Sequence, residues 1–211
     1  MADPLIFYTN PMSRGQIVRW MLEEVGQPYQ TEVLDYATTM KQGPYLAINP
    51  MGKVPAIKHG DVVVTECAAI CAYLADAFPE AGLAPPPTSK ARGAYYRWLF
   101  FAAGCIEPAT SNKAAGFIPT EQHQRMFGYG TYEGTLDAIE GALDGVEYLA
   151  GGVFSAADVY VGSQLAFGLR FGTIEKRPTY EAYVARLMER PAYKRAKDID
   201  NALIAEMQKP A

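Results

Sequence analysis

Pro55-Ala56-Ile57-Lys58-His59-Gly60-Asp61-Val62-Val63-Val64-Thr65-Glu66 is the stretch from which the fold can be read. Two short β-prone runs, 55–58 and 62–64, are joined by His59-Gly60-Asp61, and a glycine-containing connection of that length between apolar runs reads as a hairpin. A helix then starts near Thr65-Glu66, with Ala69, Ile70, Tyr73, Leu74 and Ala77 at helical spacing, and ends before Pro79. Working upstream, Ile17, Val18, Met21, Leu22 and Val25 form the apolar face of a helix closed by Gly26. That helix lies between two strands, Leu5-Ile6-Phe7-Tyr8, stopped by Thr9-Asn10-Pro11, and Thr31-Glu32-Val33-Leu34. The first half is therefore βαβ followed by ββα.

Downstream, Leu83-Ala84-Pro85-Pro86-Pro87-Thr88 continues neither helix nor sheet, because proline lacks the amide donor and fixes φ. Beyond this linker the periodicity is helical throughout: 91–106, 121–143, 156–171, 180–189 and 193–207. The expected organisation is an α/β domain over 1–80, a proline-rich linker over 81–88 and an all-α domain over 89–211. A chain of 211 residues is long enough for each domain to bury its own core.

Composition excludes several classes of function. A net charge of −4 offers nucleic acid no broad basic face. No apolar stretch approaches the ~18 residues of a membrane span, and Met1-Ala2-Asp3-Pro4 lacks the basic start of a secretory leader, so the expected location is the cytoplasm. Cys67, Cys71 and Cys105 lack zinc-site spacing and are odd in number, which predicts reduced thiols and no metal.

Three motifs sharpen the reading. Asn49-Pro50-Met51-Gly52-Lys53-Val54-Pro55 leads into the hairpin; Thr65-Glu66-Cys67-Ala68-Ala69-Ile70 spans a strand-to-helix junction; and Phe154-Ser155-Ala156-Ala157-Asp158-Val159 reads as a capping box with a hydrophobic staple. Together with the two-domain pattern they resemble the cytosolic glutathione S-transferases along essentially the whole chain. The likeness is to bacterial-looking, serine-type members similar to the theta and phi classes, with a thioredoxin-like first domain and an all-helical second domain.

The resemblance implies a cis peptide at Val54-Pro55, with the Val54 backbone pairing with the cysteinyl part of glutathione like an added strand. It implies that the helix beginning at Glu66-Cys67 receives the γ-glutamyl end: backbone amides face the carboxylate and Glu66 accepts from the α-amino group. Cys67 stands where the family usually has serine, which replaces a hydroxyl donor by a weaker thiol. Lys53, and Lys41 or Gln42 before it, are candidate contacts for the glycyl carboxylate.

A free thiol with a pKa of about 8.5 is only ~3% thiolate at pH 7, so the central task is to stabilise the anion of bound glutathione. Ser13 is the first candidate, because Pro11-Met12-Ser13 just ahead of a helix resembles the serine-type classes, in which that hydroxyl meets the sulfur. Tyr8, at the end of the first strand, is the rival donor, with a core strand residue as its alternative reading. Asn10 is a further donor and Arg14 a source of positive potential; Ser13 is alternatively only a helix cap. With no cysteine before Cys67, mixed-disulfide chemistry of the cysteine-type branches is not expected.

The electrophile pocket is expected to draw on Met12 and on Phe101, Cys105, Pro108 and Asn112 of the helical half, with Pro108 kinking or ending its helix. Beyond glutathione as co-substrate, no cofactor is expected. The partners implied are glutathione, a small hydrophobic electrophile and a second copy of the chain in a homodimer, in the service of detoxification. Glutathione-dependent isomerisation or dehalogenation, and binding without catalysis, remain as alternative functions.

Overall fold

The computed structural model describes residues 3–209. Met1 and Ala2, from the start read as lacking a leader, and Pro210 and Ala211, at the end of the second predicted domain, lie outside the described residues. The chain divides into two compact units, residues 3–81 with 190–209 and residues 82–189.

In the first unit the alternation of Leu5, Phe7 and Thr9 with Ile6 and Tyr8 makes strand β1 (Leu5–Thr9), buried on one face and half-buried on the other. β1 runs parallel to β2 (Gln30–Val33) and antiparallel to β3 (Ala56–His59), which pairs antiparallel with β4 (Val62–Thr65), giving the order β2-β1-β3-β4. Helices α1 (Gly15–Val25) and α3 (Cys67–Ala77) pack together and bury Ile17, Val18, Met21, Leu22, Ile70 and Leu74 in one core with Phe7 and Ile57. Gly26, at φ 73°, closes α1 with a bond from its amide to Leu22, the stop its sequence announces. On the other face of the sheet Tyr8, Leu34, Ile48 and Val54 pack around Met40, Tyr45 and Ala56, beside the one-turn helix α2 (Gly43–Leu46). The βαβ-ββα pattern is thus present, with α2 an addition the periodicity did not announce.

The last helix departs from the expectation that 190–211 belongs with the helical half. Following the helices of the second unit, it is α10 (Pro191–Met207), and it packs along α1 of the first unit. Arg19 of α1, 1% exposed, explains why: its Nε lies 3.2 Å from Asp200 Oδ1 and its Nη1 donates to Tyr29 Oη and Thr31 Oγ1 at 3.0 and 2.8 Å. A buried guanidinium needs a carboxylate, and the one in reach comes from α10. Burial pushes the Asp200 carboxyl up and the arginine pulls it back. Beside this pair, Arg190 grips Glu24 through two bonds of 2.6 and 2.8 Å, and the Trp20 and Tyr193 rings meet edge-on at 5.1 Å. Asp200→Ala is expected to cost about 3–5 kcal/mol by stranding Arg19, with much of the loss restored in Arg19→Met/Asp200→Leu, as read from denaturant midpoints.

The second unit is helical. Helix α4 (Ala91–Phe101) passes without a break through a π-helical turn (Ala102–Ile106) into α5 (Glu107–Ala114). Pro108 therefore does not end the helix: it sits in the first turn of α5, directly after the π-turn that absorbs the change in hydrogen-bond register. The predicted helix over 121–143 is two helices, α6 (Glu121–Met126) and α7 (Tyr132–Leu143), separated by a loop containing Gly130 at φ 63°. Next along the chain come α8 (Ala156–Phe171) and α9 (Pro178–Met188).

Helix α8 is buried on nearly every side over its first three turns and forms the centre of this unit. Its capping box goes further than the sequence implied. The Asp158 carboxylate, fully buried, accepts from the amides of Ser155 and Leu149 at 2.9 Å, from Ser155 Oγ at 3.0 Å and from Tyr183 Oη of α9 at 2.7 Å. Burial pushes the Asp158 carboxyl up and these donors oppose the shift. Among the described residues no helix is long and apolar enough to cross a membrane.

Candidate active site

Strand register brings the sequence motifs of the first unit to one end of its sheet. Tyr8 pairs with Ala56 and Ala56 with Thr65, so the end of β1, the start of β3 and the end of β4 lie side by side. The 10–14 loop continues from β1, Val54-Pro55 leads into β3, and Glu66 comes directly after β4. The starts of α1 and α3 are in contact as well: Cys67 Sγ lies 3.8 Å from the Arg14 carbonyl oxygen, to which it donates. Two helix N-termini therefore converge on this corner, each adding the positive end of a dipole; in α1 the amides of Gly15, Gln16 and Ile17 are already bonded within the turn.

Ser13 is half-buried ahead of α1; its Oγ accepts from the Gly15 amide at 2.9 Å and donates to the Asn10 carbonyl at 2.6 Å. The hydroxyl thus braces the turn. Tyr8 lies on the opposite face of the sheet from Phe7 and Thr9, its ring 5.6 Å from that of Tyr45. Burial, then the Glu32 carboxylate, push the Tyr8 phenol above its ordinary value. Ser13 adjoins the α1 N-terminus; Tyr8 belongs to the cluster on the far face.

Asn10, the further candidate donor, is engaged within the chain. Its side chain is 1% exposed, with Nδ2 donating to the Leu34 carbonyl at 2.8 Å and Oδ1 accepting from the Met12 amide at 3.0 Å. It fastens the loop that carries Ser13. Arg14, exposed, caps α1 through its backbone, and Met12 is 53% exposed.

The Val54-Pro55 bond is cis, as the resemblance implied. Val54 lies just outside β3 and makes no backbone hydrogen bond among the described residues. The approach to it is braced by groups that sequence reading passed over or assigned elsewhere. Tyr45 Oη and Asn49 Nδ2 both donate to the Lys53 carbonyl, the latter at 2.9 Å, and Lys41 Nζ donates to the Gly52 carbonyl at 2.6 Å. Lys41, a candidate for the glycyl carboxylate, is here engaged with the chain, while Gln42 and the Lys53 side chain stay exposed.

Glu66 is exposed and stands at φ 68°, ψ 122°, the one residue other than glycine with positive φ among the described residues. Such backbone costs roughly 1–3 kcal/mol and gathers at binding sites. Cys67, directly after it, is buried, and its thiol is turned toward the Arg14 carbonyl.

In the second unit the remaining candidates lie on or beside the π-turn. Phe101 is half-buried against Trp98, their rings 5.4 Å apart. Cys105 Sγ donates to the Gly128 carbonyl at 3.7 Å and Asn112 Nδ2 to Tyr129 Oη at 2.8 Å, so both side chains tie the α6–α7 loop to this long helix. Burial pushes the Cys105 thiol up, away from nucleophilic use. Glu107, directly after the π-turn, accepts from Tyr160 Oη and Gln164 Nε2 at 3.2 and 2.7 Å.

These features match known proteins. The family model of the glutathione S-transferase N-terminal domain matches residues 12–77. The chain is 28% identical over 210 residues to a glutathione S-transferase of Zea mays, covering 91% of this chain and 92% of the relative. A solved glutathione transferase of Methylococcus capsulatus is 30% identical, with 94% of this chain and 99% of that one covered and a TM-score of 0.76. A sphingomonad glutathione S-transferase, solved in complex with glutathione, is 27% identical at a TM-score of 0.76, with 93% and 98% covered. The chain belongs to the glutathione S-transferase family.

Proposed function

We propose that this chain is a serine-type glutathione S-transferase, in which Ser13 stabilises the thiolate of bound glutathione for attack on a small hydrophobic electrophile. The observation that carries the reading is the meeting, at one sheet end, of Ser13 ahead of α1, the cis Val54-Pro55 segment and the strained Glu66 ahead of α3. Val54 pairs with the cysteinyl backbone, the first amides of α3 hold the γ-glutamyl carboxylate with Glu66 facing its ammonium, and Lys53 faces the glycyl end. The sulfur then lies toward α1, where the Ser13 hydroxyl and the helix dipole lower its pKa. The thiol proton passes to water; thiolate attack then forms the carbon–sulfur bond and either breaks the bond to a leaving group or adds to an activated double bond, whose other carbon takes a proton from water, and no metal or redox cofactor enters this scheme.

Within the helical unit, Phe101 and Pro108, on either side of the π-turn, are assigned to the electrophile. Free thiols at all three cysteines support the cytoplasm as location. Family membership supports a homodimer and a role in detoxification as part of this reading.

Replacing Glu66 by glycine separates its two roles. Glu66→Gly is expected to leave stability unchanged or raise it by up to about 1 kcal/mol, since glycine accepts positive φ without strain. The same change is expected to weaken glutathione binding about tenfold by removing the partner of the ammonium. Calorimetric titration with glutathione alongside a denaturant midpoint reads both; unaltered affinity would remove Glu66 from the site.

A further inference from the structure

Thr9 ends β1 with its side chain fully buried on the α1 side of the sheet, and its Oγ1 has no hydrogen-bond partner among the described residues. An unpaired buried hydroxyl costs about 1–3 kcal/mol, so its retention at this spot calls for a use. Its position is tightly defined. A methyl group on Gly15, the first residue of α1, would overlap Thr9 Oγ1 and stand 3.0 Å from Ser13 Oγ, so both hydroxyls flank the same glycine. Glycine is what lets the helix start press onto the end of the strand at this point.

The Ser13 oxygen accepts one bond, from the Gly15 amide, and spends its own proton on the Asn10 carbonyl. A hydroxyl oxygen can accept twice. Resting on the reading of Ser13 as the thiolate donor, we propose that Thr9 is a positioning residue for it. When the Ser13 proton turns from Asn10 to the glutathione sulfur, Thr9 Oγ1–H donates to the Ser13 oxygen. Two donors on that oxygen polarise its O–H bond and strengthen its hold on the thiolate. Thr9 does not touch sulfur; it acts through Ser13. The buried hydroxyl is unpaired in the free protein and paired in the thiolate complex, which places its benefit in the bound anion.

This makes an opposed pair of effects, which a merely structural threonine would not produce. Thr9→Val keeps the shape and removes the donor. It is expected to leave the denaturant midpoint unchanged or raise it, while raising the pKa of bound glutathione by about half to one unit with KM for glutathione within about twofold. Thr9→Ser is expected to titrate like the wild type, and Thr9→Ala, a second variant should valine pack badly, to share the raised pKa. If Thr9→Val and Thr9→Ala titrate like the wild type while Ser13→Ala does not, the role assigned to Thr9 is overturned and the serine reading survives. If Ser13→Ala also titrates like the wild type, the serine reading itself has failed.

Discussion

Ser13→Ala is expected to lower kcat by about 10²-fold while KM for glutathione stays within about threefold, because the hydroxyl acts on sulfur chiefly as the anion forms. One charge-assisted donor to a developing anion is worth roughly 2–4 kcal/mol in a site shielded from water. The structure also gives Ser13 a bracing task, through its bonds to Gly15 and Asn10, so the variant loses about 1 kcal/mol of stability as a capping residue would. The two roles separate in the assay. Ser13→Thr keeps a hydroxyl and is expected to recover most of the rate, and Tyr8→Phe, on the other face of the sheet, to change kcat by less than about twofold. A Tyr8→Phe enzyme as damaged as Ser13→Ala would transfer the thiolate contact to the phenol. The readout is initial rate against an activated aryl halide at saturating glutathione.

The largest effect on stability is expected from Asp158→Ala, at about 4 kcal/mol or more. Four donors converge on this fully buried carboxylate, two of them backbone amides that cannot turn elsewhere. Removing it strands the amides of Leu149 and Ser155 and the Tyr183 hydroxyl together, and each stranded buried donor costs about 1–3 kcal/mol. Asp158→Asn keeps the shape but sets an amide NH2 among donors, so it is expected to recover only part of the loss. Denaturant unfolding followed by tyrosine fluorescence reads this directly; a loss below about 1 kcal/mol in Asp158→Ala would mean that the network is incidental to the helical unit.

Much of this architecture is local and therefore legible. The four strands follow from short β-prone runs punctuated by turn residues, and Gly26 announces the end of α1. The capping box at Ser155 and Asp158 is a short-range motif, and its existence could be read; its further partners Leu149 and Tyr183 could not, because Tyr183 comes from another helix. The placing of α10 rests on an ion pair between residues 181 positions apart, beyond the reach of periodicity. Pro108 does not end its helix, because it lies in the first turn of α5 directly after a π-turn that the sequence does not announce.

The candidate site divides in the same way. Val54-Pro55, Glu66 and Ser13 could be picked out because each sits at a junction between elements, where resemblance to the family is densest. The bond from Asn10 to Leu34 could not be read, because a loop asparagine looks the same in sequence whether its amide meets a ligand or the backbone. Tyr45, Asn49 and Lys41 brace the Val54 approach through carbonyls, a role without a sequence signature. Thr9 has a signal only in three dimensions, as a buried hydroxyl left unpaired beside a glycine that must be small.

The most direct test of the central claim is to titrate the ultraviolet thiolate absorbance of glutathione bound to the wild-type protein across pH. The account predicts a bound thiol whose pKa lies at least about one unit below the free value near 8.5, equivalent to about 1.4 kcal/mol or more of preference for the anion. Glutathione that binds yet titrates at its free value would contradict it.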